Sequence, residues 1–349
     1  MDIQQLWQAW PVAGPWQIFP MVGGTNTLIW RALAADGQQY ALRIIPNLAR
    51  ISHLRYEASL LEALAATQPP VQLPLLLRAR DGDSIVECEL EGKAALATLS
   101  PLLSGRLPDL LPDRHDPSIA VDAAQVLAWL DTALAQLSPQ SLAGSPQLPT
   151  FGTLKNRQGP IEDPLVCLQQ LPAAPEKIQQ LSSFLEEVIE LVPGLYRRLP
   201  QQILHRDYDP ANILAEGQRV TAVLDFELAG PDLRALDLCG ALSWWPVQLL
   251  GSGQEWALME TFATAYLARF PLSEEELLAL PDLCRMRDAT SLVQRVGRYL
   301  TGQESEGVIQ RRVEHSLWRE AWIVANRQTL QEHALTWRHK ATAVPSGEN

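Results

Sequence analysis

His205, Asp207, Asn212 and Asp225 are the residues whose types and spacing could handle a charged substrate. Between them lie two short apolar runs, Ile213-Leu214-Ala215 and Val220-Thr221-Ala222-Val223-Leu224, joined by Glu216-Gly217-Gln218. Runs of this kind on either side of a glycine predict a β-hairpin turned about Gly217. Such a hairpin returns Asp225 to the end of the pair where Asn212 sits, so one carboxamide and two carboxylates can converge from distant places in the chain. Hard oxygen ligands gathered in this way suit Mg²⁺ better than Zn²⁺, because magnesium takes carboxylates, substrate phosphates and water.

The pattern His205-x-Asp207-x-x-x-x-Asn212, followed by Asp225-Phe226, resembles the catalytic and metal-binding motifs of the aminoglycoside phosphotransferase/choline kinase family. The resemblance implies an α+β, bilobal, protein-kinase-like fold with a small antiparallel-sheet N-lobe and a larger, mainly helical C-lobe. It makes Asp207 the base that orients an acceptor hydroxyl, and Asn212 and Asp225 the ligands of Mg²⁺ on the phosphates of ATP. His205 becomes a residue that shapes the loop, and Asp237 a support that ties the loop by hydrogen bonds. The implied activity is ATP- and Mg²⁺-dependent transfer of the γ-phosphoryl group to a hydroxyl of a homoserine-, choline- or aminoglycoside-like small molecule. The alternative is a catalytically inactive nucleotide-binding scaffold or sensor of the same fold.

The elements that must position these residues follow from the rest of the chain. Gly23-Gly24-Thr25-Asn26 lies between strand-like runs, and a glycine pair lets backbone N–H groups approach phosphate oxygens with no Cβ in the way. Gln39 to Ile45 reads as a strand and Leu54 to Leu64 as a helix with an apolar stripe. In the family, a basic strand residue reaches the phosphates and pairs with a helix glutamate, and Arg43 and Glu57 occupy those places. The arginine departs from the lysine of protein kinases and is not a neutral exchange, being larger, planar and always charged. Leu75 to Arg78 and Ser84 to Leu90 are expected to complete the sheet about Asp81-Gly82-Asp83. Residues from Ala97 onward resemble the link between lobes, which divides the chain into a nucleotide-binding lobe over 1–96 and a catalytic and substrate-binding lobe over 97–349.

Beyond the link, Ile119 to Leu137 has the spacing of an amphipathic helix, residues 138–175 read as a long loop, and Pro175 to Leu199 as a helix broken near Pro193-Gly194. Helices are expected at 256–270, 273–287, 289–299 and 308–335, with Ser273 and Glu276 forming a capping box. Glu227 stands where protein kinases have glycine, and no activation segment is apparent. Tryptophans at 244, 245, 318, 322 and 337 could build an aromatic cage, though core packing is the commoner use.

Composition narrows the partners. At 349 residues with 47% apolar and 19% charged residues, the chain is globular and large enough for two lobes. A net charge of −12 argues against nucleic acid, no apolar run is expected to span a membrane, and the start lacks signal-peptide features. The expected setting is the cytoplasm, the expected partner a small-molecule hydroxyl acceptor, and the oligomeric state is left open. Cys88, Cys167, Cys239 and Cys284 are widely spaced and read as buried free thiols.

Overall fold

The structure, a computed structural model, describes residues 3–21, 27–108, 117–155 and 161–343. Gly23, Gly24, Thr25 and Asn26, expected to cover phosphates, lie outside the described residues. In chain order the elements begin with β1 (Gln17–Pro20), β2 (Leu28–Leu33), β3 (Gln39–Ile45), α1 (Ile51–Ala65), β4 (Val86–Leu90) and β5 (Lys93–Pro101). Next come α2 (Pro117–Ala135), α3 (Pro164–Leu168), α4 (Pro175–Arg198), β6 (Gln201–Leu204), β7 (Ile213–Glu216), β8 (Arg219–Val223) and β9 (Gly230–Leu233). The chain continues through α5 (Leu236–Trp244), α6 (Glu255–Leu267), α7 (Glu274–Leu278), α8 (Leu280–Leu300), α9 (Glu306–Ala325) and α10 (Arg327–Ala343). Two compact units divide it: Met1–Pro108 with Gln136–Gln147 and Ala211–Ala229, and Asp109–Ala135 with Leu148–Pro210 and Gly230–Asn349.

The first unit is built on an antiparallel sheet in the order β1-β2-β3-β5-β4. Side chains alternate across a strand, so Tyr40, Leu42 and Ile44 enter a core with Leu6, Trp10, Trp16 and Leu99, while Arg43 falls on the opposite face. In α1 the helical repeat puts Leu54, Glu57, Leu61 and Leu64 on one buried stripe. A carboxylate in such a stripe requires a partner, because an unpaired buried charge is costly.

Strand β5 was not foreseen. Its residues 95–100 are buried on both faces, so it lacks the apolar–polar alternation by which half-buried strands are found. It pairs with β3 and β4 in the sheet that Leu75–Arg78 was expected to help complete, and residue 97 lies inside it. Leu75–Arg78 forms no strand, although the Leu77 N–H donates to the Leu99 carbonyl at 2.7 Å. The β4–β5 hairpin turns through Glu91 and Gly92, both with positive φ (51° and 77°), as a two-residue turn matched to strand twist demands. The hairpin of β7 and β8 forms as expected, with Gly217 at φ 59°. Beside it, Gly105 has φ 122°, and an added Cβ there would lie 2.6 Å from Thr221 Oγ1, so only glycine fits.

The second unit is mainly helical, with the short antiparallel pair β6–β9 within it. Helix α2 packs against α6 and β6 and is buried along most of its surface. By length and composition it could cross a membrane over Ser118–Ala135, where no such span was expected; its burial is that of a core helix. The predicted break at Pro193-Gly194 does not occur, and α4 runs through to Arg198 with Pro193 inside. A proline there removes one backbone hydrogen bond, whereas Ile178, Leu181, Leu185, Val188 and Leu195 hold a single buried stripe against α8 and α9.

Helix boundaries in the last third also move. The predicted division between residues 287 and 289 is absent, because α8 starts at Leu280 with Pro281 in its first turn and continues to Leu300. The predicted 308–335 helix is instead α9 and α10, separated at Asn326. The capping box forms, with Ser273 Oγ accepting from the Glu276 N–H at 3.2 Å and Glu276 accepting from the Ser273 N–H at 2.8 Å. Trp245 packs on Phe262, and Trp337 stacks on His333 inside the unit. All four cysteines are buried free thiols.

Candidate active site

In the first unit, Arg43 Nη1 meets Glu57 Oε1 at 2.6 Å, with side-chain exposures of 16% and 3%. Glu227, from the turn after β8, lies 3.9 Å from Arg43 and accepts from Arg50 at 3.0 Å. Arg50 also donates to Gln147. Burial works against the charge on Arg43, but Glu57 first, and then Asp225 and Glu227, outweigh it and hold its pKa above the ordinary arginine value. The Leu224 N–H donates to the Asn212 carbonyl at 2.8 Å, so the hairpin returns the chain beside Asn212 one residue before Asp225. Asp225 itself adopts the left-handed conformation, φ 58°. Arg43, Glu57, Asn212 and Asp225 therefore share one unit, and the field of Asp225 reaches Arg43.

Glu57→Ala would leave the Arg43 guanidinium with only the more distant charges of Asp225 and Glu227 among the described residues. Breaking a buried pair by removing one partner costs about 3–5 kcal/mol, and with Arg43 partly exposed and a second carboxylate near, about 2 kcal/mol is expected. Urea unfolding reads this directly; an unchanged midpoint would show that the pair contributes nothing to the unit.

In the second unit, β6 delivers the chain to a turn in which Arg206 adopts φ 68°. Asp237, 2% exposed in the first turn of α5, accepts from the N–H groups of both His205 and Arg206 at 2.8 Å. This is the tie expected of it, and it holds a left-handed residue that would otherwise be strained. Burial raises the Asp237 pKa, opposed by His205 and by the two amide donors. A second buried carboxyl, Asp131 on α2, is pushed well up by burial and then by the charge of Asp237, and Tyr266 donates to it at 2.6 Å.

Arg206 anchors the loop from the other side. Its guanidinium lies 3.4 Å from Asp232 and donates to the carbonyls of Leu148, Pro149 and Pro231. Asp232 accepts in addition from the N–H groups of Phe151 and Leu233 and from the Tyr196 hydroxyl. His205 packs edge-on against Tyr208, whose hydroxyl donates to the Ala123 carbonyl. Between these buried anchors the Asp207 side chain is 29% exposed, with Arg287 Nη2 at 3.9 Å. A buried, hydrogen-bonded frame thus presents the Asp207 carboxylate partly to solvent.

Removing Asp232 leaves a buried guanidinium and several donors unmatched. Asp232→Ala is expected to lower the unfolding free energy by about 3–5 kcal/mol. A loss below about 1 kcal/mol in urea melts would mean that Asp232 does not hold this frame.

Arg50, Gln147, Asp232 and Arg287 are not among the residues that motif and spacing single out. Each gains its place from a partner far along the chain, and none sits in a local pattern that would have singled it out. Among the described residues no cluster of three or more His, Cys, Asp or Glu side chains could hold a metal. Asn212 and Asp225 supply hard oxygens only, a donor set that fits magnesium, which takes few protein ligands and completes its shell with phosphates and water.

Residues 20–274 match the phosphotransferase enzyme family. A homoserine kinase of Allorhizobium ampelinum is 30% identical over 125 residues, covering 36% of this chain and 39% of that protein. A homoserine kinase of Granulibacter bethesdensis is 26% identical over 259 residues, 72% of each chain. Among solved structures, an amicoumacin kinase in complex with AMP-PNP and Ca²⁺ superposes with a TM-score of 0.67 at 14% identity, covering 91% of this chain and 94% of that one. At that identity the likeness shows the fold alone, and the fold is the protein-kinase-like α+β fold expected.

Proposed function

We propose that this chain, which belongs to the phosphotransferase enzyme family, moves the γ-phosphoryl group of ATP to a hydroxyl of a small molecule in a Mg²⁺-dependent reaction. The observation that carries the reading is the 2.6 Å pair of Arg43 and Glu57 in the field of Asp225. A nucleotide-lobe cation is thereby held at the strand position the family uses for phosphate.

Phosphoryl transfer asks little covalent work of a protein; positioning and charge neutralisation do most of it. Arg43 contacts phosphate oxygens and Glu57 fixes its guanidinium. Asn212 and Asp225 hold the metal, which when bound neutralises charge on the phosphates. Asp207 accepts or orients the acceptor's hydroxyl proton, while Asp237 and Arg206 keep its loop from moving. Gly23, Gly24, Thr25 and Asn26 are assigned to the phosphates on sequence grounds. The nucleotide belongs to the N-terminal lobe and the acceptor to the C-terminal one, in the cytoplasm where ATP is supplied. The homoserine kinases among the relatives favour a small amino-acid alcohol as acceptor.

A catalytically inactive nucleotide-binding protein is the other reading. Its support is the arginine at position 43, and that arginine keeps a glutamate partner. ATP turnover measured against a panel of small alcohols and a generic protein substrate, for the wild type and Asp207→Ala, separates the two. Turnover of an alcohol that depends on Asp207 supports the kinase; Mg-ATP binding without turnover on any acceptor would favour the inactive protein.

A further inference from the structure

We propose that Arg287 and Arg312 form an anion-recognition site that takes a carboxylate carried by the acceptor. The inference rests on the reading above, in which Asp207 receives the acceptor hydroxyl. Charge is unevenly matched where α8 packs against α9.

Most arginines on these two helices are matched by carboxylates. Arg319 pairs with Asp288 at 2.6 Å, Arg295 and Arg298 with Glu304, and Arg285 with Glu187 and Glu320. Among the arginines that are not exposed, Arg312 and Arg287 are the exceptions; Arg311, which also lacks a carboxylate partner among the described residues, is exposed. Among the described residues no carboxylate lies within ion-pair distance of Arg312, whose one hydrogen bond runs from Nη2 to Ser291 Oγ at 2.6 Å. Its Nε is buried with no partner. Arg287 is buried, and its nearest carboxylate, Asp207, is 3.9 Å away, beyond hydrogen-bond length.

Nearby groups are arranged around the same charge. Arg287 lies over the Trp244 ring at 5.7 Å, and Gly240 on α5 makes room for it, since a Cβ there would stand 3.1 Å from the guanidinium carbon. Trp244 Nε1 and His315 Nδ1 are also buried, with no partner among the described residues. Burial, followed by Arg295, Arg319 and Arg287, holds the Arg312 pKa below its ordinary value against the pull of Asp288. Arginine cannot escape such a site by losing its proton. In a chain of net charge −12, a local excess of partly buried positive charge with an idle N–H group is complemented by an anion that arrives from outside.

The identity of the anion follows from the pairing. Asp207 partly answers Arg287, and Glu304 is shared by Arg295 and Arg298, so Arg312 is the guanidinium in this group with no carboxylate of its own among the described residues. A carboxylate brought by the acceptor supplies that partner. The planar guanidinium fork matches a carboxylate in shape as well as charge. The closeness of Arg287 to Asp207 sets this site beside the carboxylate assigned to the acceptor hydroxyl, so both groups belong to one small hydroxy acid.

The test is calorimetric binding in the presence of Mg²⁺ and AMP-PNP, with L-homoserine, 4-hydroxybutyrate and 3-amino-1-propanol as probes. The two carboxylates are expected to bind at least tenfold more tightly than the amino alcohol. Arg312→Met should lose that preference while AMP-PNP affinity is unchanged, and Arg312→Lys should recover part of it. Arg312 is half-buried with its Nε unpartnered and loses only the bond to Ser291 on substitution, so Arg312→Met should melt close to the wild type, and lost binding cannot then be ascribed to unfolding. Equal binding of the amino alcohol, no binding of either carboxylate, or an unaltered preference in Arg312→Met would each overturn the proposal. Carboxylate binding without phosphoryl transfer from ATP would support this site and overturn the kinase reading instead.

Discussion

Asp207→Asn is expected to lower kcat by about 10²–10⁴-fold, the range that a positioned general base contributes, with the affinity for AMP-PNP unchanged. Asparagine preserves the shape of the side chain and can still accept a hydrogen bond, so the change isolates the loss of the charge that takes the hydroxyl proton. The frame around it does not depend on that charge: Asp237 holds the amides of His205 and Arg206, and Asp232 holds the Arg206 guanidinium. Single-turnover transfer from radiolabelled ATP separates chemistry from product release. Retention of more than a tenth of the wild-type rate would remove Asp207 from the role of base.

Asp225→Asn is expected to raise the half-saturating Mg²⁺ concentration at least tenfold and to lower the maximal rate by about 10³-fold, since metal charge stabilisation contributes several kcal/mol. The choice of asparagine matters, because Asp225 sits at φ 58° and asparagine tolerates the left-handed region better than alanine does. A second effect travels with the first. Asp225 is one of the carboxylates that hold the charge of Arg43, so its loss also leaves that guanidinium less firmly matched. Activity titrated with Mg²⁺ at fixed ATP, alongside the melting temperature, distinguishes a metal defect from a folding defect. An unaltered Mg²⁺ dependence would mean that Asp225 does not hold the metal.

Some of this arrangement is legible residue by residue along the chain. The β7–β8 hairpin follows from two apolar runs about Gly217, β3 from Gln39–Ile45, α1 from its apolar stripe, and the α7 cap from Ser273 and Glu276. Each is set by interactions a few residues long, so local chemistry suffices. The pairing of Arg43 with Glu57 was reached by resemblance, and the structure supplies its physical cause: one is the odd residue on a strand face and the other the odd residue on a buried helical stripe.

Other parts were not legible. Strand β5 is buried on both faces and so carries no alternation, and Leu75–Arg78, read as a strand, has the right residues but bonds to β5 through Leu77 without forming a ladder. Pro193 is a helix breaker by its own chemistry, yet packing along α4 overrides it. Position 289 looked like a boundary in a helix whose tertiary contacts never pause, whereas Asn326 ends α9 in a stretch that reads as continuous.

What the chain determined by itself is its inventory of chemistry: two carboxylates and a carboxamide at fixed spacing, an arginine on a strand, a glutamate on a helix, and the short turns that carry them. What only the tertiary structure decided is which charges are matched. Glu227 meets Arg50, Asp232 meets Arg206, and Arg312 meets no carboxylate among the described residues. The reason is that backbone conformation is governed by neighbours in sequence, while the free energy of a buried charge is governed by neighbours in space, and these are chosen only when the elements pack.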